Sequence, residues 1–290
     1  MKETRSTYAH PEALVNTQWV ADHLSDPSVR FVEVDWDIAE YNAGHIPGAV
    51  GWVWSKDVLH PMRRDVPDKA EFEAQLSRAG ITNDSTVVVY GGLNNLLATF
   101  TFWLLKVYGH KDVRLLDGGR QKWMAEDRPS QIELPSLTPS AYKARNPDWT
   151  LRAHRDLIQE FIGKPDRILV DARPVDMYSG DNSAGAQRGG HIPGAVNIPA
   201  CADMDNSTFR GWLTPTTRPD GTFKSVEELQ AMFTSKGVTS DKEVIAYCVL
   251  GGLSSHAWFV LKVLLGYSQV RLYDGSWAEW GNLIGAPIER

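Results

Sequence analysis

A chain of 290 residues allows one large domain or two of ordinary size, and 42% apolar residues with 11 Trp, 9 Tyr and 9 Phe are enough to fill real cores. A net charge of −6 gives non-specific nucleic-acid binding no electrostatic basis, and no apolar run approaches the length that spans a membrane. The opening Met1-Lys2-Glu3-Thr4-Arg5-Ser6-Thr7 lacks the apolar core of a secretory signal. Two cysteines, Cys201 and Cys248, make neither a disulfide framework nor a zinc site. A cytoplasmic protein with reduced thiols is therefore expected, with no metal, no cofactor and no nucleic-acid or membrane partner.

Residues 12–24 carry Leu14, Trp19, Val20 and Leu24 at helical spacing, and Arg30-Phe31-Val32-Glu33-Val34 reads as a short strand. Gly44-His45-Ile46-Pro47-Gly48-Ala49 punctuates the chain sharply. Residues 69–79 predict a helix ending before Gly80, Thr86 to Tyr90 a buried strand, Leu96 to Tyr108 a long apolar helix stopped by Gly109, and Val113 to Leu116 another strand. Pro129, Pro135, Pro139 and Pro147 mark an extended linker over residues 127–149, lying on the surface. Beyond it, Leu151-Arg152-Ala153-His154 is read as opening a helix. Arg167 to Asp171 follows as a strand and 225–236 as a helix. Val244-Ile245-Ala246-Tyr247 is a strand, and Ala257 to Leu265 an apolar helix stopped by Gly266.

These elements occur twice. Gly44-His45-Ile46-Pro47-Gly48-Ala49-Val50 recurs letter for letter 146 residues later, from Gly190. Val113-Arg114-Leu115-Leu116-Asp117-Gly118 recurs at a spacing of 157 as Val270-Arg271-Leu272-Tyr273-Asp274-Gly275, and at that spacing Tyr90 meets Tyr247 and Trp123 meets Trp280. The second copy therefore carries extra residues, expected around Ala200 to Asp220, a polar Pro- and Thr-rich stretch. The reading is two α/β units, residues 1–126 and 150–290, each a mostly parallel sheet covered by helices on both faces. Two fused copies already supply a pseudo-dimer, so a monomer is expected.

The stretch Tyr247-Cys248-Val249-Leu250-Gly251-Gly252-Leu253-Ser254 reads as strand, tight glycine-rich loop and helix, with Cys248 as first residue of the loop. Such a loop can turn its N–H groups inward, and the helix behind it adds positive potential, so a thiolate is expected there. At the repeat spacing the partner of Cys248 is Gly91, in Gly91-Gly92-Leu93-Asn94-Asn95-Leu96, which keeps the loop but lacks the nucleophile. A Cys-x5-Arg phosphatase uses a similar cradle, but the sixth residue after Cys248 is Ser254.

The chain resembles the tandem-domain rhodanese family of sulfurtransferases. The resemblance rests on Val170-Asp171-Ala172-Arg173, the two Gly-His-Ile-Pro-Gly-Ala blocks, Tyr247-Cys248 with the loop and helix after it, and Asp274-Gly275-Ser276-Trp277-Ala278-Glu279-Trp280. Ser254-Ser255-His256 with Trp258-Phe259-Val260-Leu261 is similar to a bacterial thiosulfate sulfurtransferase branch. The resemblance implies two rhodanese-like domains with catalysis in the second and a non-catalytic first domain closing over it. Sulfur would pass from thiosulfate, or a related thiosulfonate, to cyanide or a thiol through a Cys248 persulfide. Val249, Leu250, Gly251, Gly252, Leu253 and Ser254 would cradle the sulfur, Ser254 either donating to it or capping the helix. Trp36, Leu93, Leu96 and Leu97 would be pocket candidates.

The departure lies in the loop side chains. Thiosulfate-using relatives commonly place a basic residue there, whereas Val249, Leu250 and Leu253 are apolar. Arg188 is the first candidate for a replacement cation. Arg173 is expected to be structural, paired with Asp171 or Asp274, and His45 and His191 to be structural in both copies. His256 is expected in the first turn of the helix, at the mouth or packed. The nearest rival activity is 3-mercaptopyruvate sulfur transfer, whose loops tend to read Cys-Gly-Ser-Gly-Val-Thr. A persulfide carrier without turnover would share the loop.

Overall fold

The β-branched runs pair into two separate parallel sheets in the computed structural model, which describes residues 7–201 and 214–290. In the first sheet β1 (Leu14–Val15), β2 (Val29–Asp35), β3 (Val50–Val53), β4 (Thr86–Tyr90) and β5 (Val113–Leu116) lie in the order β1-β5-β4-β2-β3. In the second, β6 (Arg167–Asp171), β7 (Val196–Asn197), β8 (Glu243–Tyr247) and β9 (Val270–Leu272) lie in the order β7-β6-β8-β9. Every neighbouring pair is parallel. The central strands β4 and β8 are buried at four of their five residues, which is why each reads as an unbroken apolar run.

The chain divides into two units. One holds Glu12–Asp148 with Asp220–Thr222; the other holds Trp149–Pro219 and Phe223–Arg290, joined by the described residues up to Pro11. In the first unit Phe31, Val88, Tyr90, Leu116 and Trp123 share a core. In the second, Leu169, Ile245, Tyr247, Tyr273, Trp277 and Trp280 do. The prolines of 127–149 run along the first unit, where His45 and Gln131 form an antiparallel bridge and the Arg145 N–H donates to the Tyr108 carbonyl at 3.0 Å. At the other end of the chain, the Ala9 N–H donates to the Leu264 carbonyl at 2.8 Å.

Three expectations are corrected. Residues 12–24 do not form one helix. Leu14 and Val15 pair with β5, and Asn16 then caps a shorter helix, Thr17–Asp22, by accepting from the Trp19 N–H at 2.8 Å. Residues 151–154 precede rather than open their helix, which runs Arg155–Phe161 after a bridge from Arg152 to Leu272. The long helix expected from Leu96 starts at Ala98, because Leu93, Asn94 and Asn95 hold positive φ in a separate turn. The helices Lys69–Arg78 and Val226–Thr234 both begin with full capping boxes, Asp68 with Glu71 and Ser225 with Glu228.

Sheet register refines the repeat. Glu33 pairs with Tyr90 and Asp171 with Tyr247, so the first long strand repeats at a spacing of 138, shorter than the 146 of the Gly-His turn. The second copy thus carries extra residues between β6 and Gly190 as well. The insertion expected around Ala200 to Asp220 lies mostly outside the described residues.

Candidate active site

Cys248 directly follows β8 as the first residue of the loop and is buried. Gly251 takes φ +96, a left-handed conformation that suits glycine, and turns the chain into helix Gly252–Phe259. The turn points the Gly251 N–H at the Cys248 Sγ, 3.1 Å away. The loop carbonyls are held from the opposite side. Trp277 N–H donates to the Cys248 carbonyl at 2.9 Å and Ala278 N–H to the Val249 carbonyl at 3.0 Å. A trans peptide directs its N–H opposite to its C=O. The N–H groups of Val249 and Leu250 therefore face away from Trp277 and Ala278, and no acceptor among the described residues meets them.

The side chains round the loop are apolar. Val249 and Leu250 are half-buried and Leu253 is buried. Ser254 neither caps the helix nor turns its hydroxyl to the sulfur: its Oγ donates to the Gly251 carbonyl at 3.1 Å. His256 is packed. Its Nδ1 lies 3.3 Å from Thr216 Oγ1, its ring 5.2 Å from that of Phe223, and burial pushes its pKa down to about 4, so it is neutral at physiological pH.

Arg188 is corrected. Its guanidinium donates to the carbonyls of Trp280, Gly281, Leu283 and Ala286 at 2.5–3.3 Å, so it ties down the C-terminal turn rather than offering a cation to a substrate. Arg173 is structural in the expected way. It is fully buried and forks onto Asp171 at 2.6–3.1 Å, with its guanidinium 4.3 Å from the Trp277 ring centroid. His45 and His191 stack on Tyr41 and Tyr178 in matched fashion, each Nδ1 2.9 Å from that tyrosine's carbonyl. Trp36 follows β2 in the first unit, partly exposed, its ring edge-on to the buried Trp54 at 5.2 Å. Leu96 and Leu97 are core residues of that same unit.

The silent loop closes on itself. Gly91 N–H donates to Asn95 Oδ1 at 3.0 Å, and Gly92 N–H to Asp35 Oδ2 at 2.9 Å. Burial pushes Asp35 up to about 7, despite that hydrogen bond. Its neighbour Glu33 pairs with Arg120 at 2.8 Å. A side chain at Gly91 would drive its Cβ into the Val34 carbonyl oxygen. The repeat spacing exposes the missing nucleophile but carries no sign of the roles of Asp35 and Asn95. For Ser276, the contrast with Gly119 at that spacing was the available signal.

A duplicated parallel α/β protein, with one buried cysteine facing the amides of a strand–loop–helix turn, is the class that fold and site define. The chain belongs to the rhodanese-like domain family, whose model matches residues 16–126 and again 154–283. It is 48% identical to the protein of Thermus thermophilus named sulfur carrier protein TtuD, over 98% of each chain. It is 46% identical to a Mycolicibacterium smegmatis protein whose name proposes a thiosulfate sulfurtransferase, over 97% of this chain and 99% of that one. Among solved structures, the anaerobic ergothioneine biosynthesis enzyme of Chlorobium limicola, in complex with trimethyl histidine, superposes with a TM-score of 0.85 at 25% identity, over 97% of this chain and 71% of that one. No described helix is long and apolar enough to cross a membrane.

Proposed function

We propose that the protein is a sulfurtransferase whose Cys248 carries a sulfane sulfur between a small donor and a nucleophilic acceptor. The observation that carries this is the Gly251 N–H at 3.1 Å from Cys248 Sγ, beside two loop N–H groups with no acceptor among the described residues. The Cys248 thiolate attacks the outer sulfur of thiosulfate, the sulfur–sulfur bond of the donor breaks, and sulfite leaves with the bonding pair. The enzyme then holds Cys248-S-S⁻. Cyanide attacks the terminal sulfur, thiocyanate leaves, and the thiolate returns, a two-step covalent cycle with ping-pong kinetics. The negative charge moves outward by one sulfur, from where Gly251 N–H points toward the N–H groups of Val249 and Leu250. Each charge-assisted hydrogen bond of this kind contributes about 1.5–3 kcal/mol. The molecule holds its own precedent, since the Gly92 N–H, at the repeat position of Val249, binds the Asp35 carboxyl group.

The apolar Val249, Leu250 and Leu253, with the Arg188 guanidinium spent on carbonyls, favour a donor less charged than thiosulfate, such as an aromatic thiosulfonate. A kcat/KM that strongly prefers thiosulfate overturns that preference. The similarity to a protein named as a sulfur carrier supports a second reading, in which the persulfide is handed to a protein acceptor without cyanide turnover. Mass spectrometry of the protein before and after donor tests the chemistry common to both. One sulfur atom is gained on the Cys248 peptide; Cys248→Ala gains none and loses turnover at least a thousandfold, while Cys201→Ser keeps both. Retained turnover in Cys248→Ala sinks the proposal. A single burst with cyanide selects the carrier.

A further inference from the structure

We infer that Ser276 is the positioning residue of the Cys248 loop, holding its first N–H from outside so that the interior stays open for a second sulfur. The inference rests on the sulfur-transfer reading for what the space is used for, but its geometry stands alone. Ser276 is fully buried, and its Oγ is engaged on both sides: it accepts from the Cys248 N–H at 3.1 Å and donates to the Tyr273 carbonyl at 2.7 Å. It holds φ +53, a conformation that side chains other than those of glycine and asparagine rarely adopt.

The other copy shows that glycine serves this backbone. Gly119, at the repeat position of Ser276, has φ +57. There the equivalent N–H, that of Gly91, is satisfied instead by Asn95 Oδ1 at 3.0 Å, a side chain arising within the loop itself. The two solutions exclude each other, since a Cβ at Gly119 would fall 2.6 Å from Asn95 Oδ1. The active copy has Gly252 at the position of Asn95 and so places no side chain there. Each copy keeps the same clamp on the next carbonyl, Arg120 N–H to Gly91 at 3.0 Å and Trp277 N–H to Cys248 at 2.9 Å. At the first loop N–H the copies therefore differ in whether its acceptor comes from inside or outside the loop. The Ser276 arrangement tolerates an unfavourable φ and leaves the sulfur side free. Without the Oγ, the Cys248 N–H is buried and unpaired, and the peptide rotates to find a partner, turning the Gly251 N–H off the sulfur.

The test is Ser276→Gly, which relieves the backbone and removes only the hydroxyl. The pH profile of Cys248 alkylation by iodoacetamide is followed on the Cys248 peptide by mass spectrometry, a readout that needs no sulfur transfer. The expected result is an unchanged or raised melting temperature, with the profile moved to higher pH and the rate at pH 7 lowered at least fivefold. The double variant Ser276→Gly/Gly252→Asn puts the silent copy's residue types at both positions. It is expected to stay folded and to take up sulfur from donor at least tenfold more slowly than the wild type. A wild-type alkylation profile in Ser276→Gly, or wild-type sulfur uptake in the double variant, overturns the inference. Failure of the wild-type protein to take up sulfur instead overturns the sulfur-transfer reading and leaves the alkylation result to decide the role of Ser276.

Discussion

The two loops follow equivalent strands in their sheets and lead into helices, yet one faces a thiol and the other a carboxyl group. In the second copy the residue two beyond the buried acid of the strand is Arg173; in the first it is Asp35. Both copies keep that buried acid and give it an arginine, but Asp171 takes Arg173 from its own strand end, while Glu33 takes Arg120 from the helix Gly119–Ala125, 87 residues further along the chain, where the second copy has Trp277. In the Cys248 copy the exchange puts a cation beside the strand end, and in the silent copy a carboxyl group on the loop amide. A duplicated fold thus loses its nucleophile together with the electrostatics and the space the nucleophile needs, so the silence of the first loop is built in at several positions.

The largest effect that sharpens this comparison is on Arg173. Arg173→Met leaves Asp171 buried without its guanidinium, and a loss of about 3–5 kcal/mol is expected, read by urea unfolding. Arg173→Met/Asp171→Asn should recover much of it; no recovery would mean that Arg173 acts mainly by packing on Trp277. Next comes Gly91→Cys, the direct attempt to revive the silent loop. With Cβ forced against the Val34 carbonyl, destabilisation of about 2–3 kcal/mol is expected, with no sulfur gained on residue 91 by mass spectrometry. A stable Gly91→Cys protein that takes up a second sulfur would break the comparison.

The pH-dependent effect is on Asp35. Its folded pKa of about 7 stands above the usual 3.8, so its contribution to stability is fully present below about pH 4 and is lost as the pH rises through 7. Asp35→Asn keeps an acceptor for Gly92 N–H without the charge. It should become progressively more stable than the wild type from pH 4 to 7, by up to about 4 kcal/mol for a shift of this size, and the gap should then stay level. A gap independent of pH would show that Asp35 is not the titrating group.

Much of the fold was legible because its signals are local or repetitive. β-Branched runs mark the buried strands, glycines stop the helices, and identical turns at matched spacing reveal the duplication. The same spacing singles out Cys248 against Gly91, and a carboxylate partner for Arg173, Asp171 or Asp274, was expected, Asp171 being separated from it only by Ala172. Helix starts were less legible: Leu14 has helical spacing but joins a strand, because β5 offers it a ladder from a hundred residues away.

By itself, then, the sequence determined two parallel α/β units and one cysteine loop without a basic side chain. Tertiary structure alone decided where each donor and acceptor is directed. Arg188 is equally basic wherever it lies, and only the return of the C-terminal turn gives it four carbonyls. Ser276 reaches Cys248 across 28 residues, and Asp35 reaches Gly92 across 57. Those distances close through sheet register, and hydrogen bonds act only within about 3 Å, so the residue pattern carries no record of them until the strands are aligned.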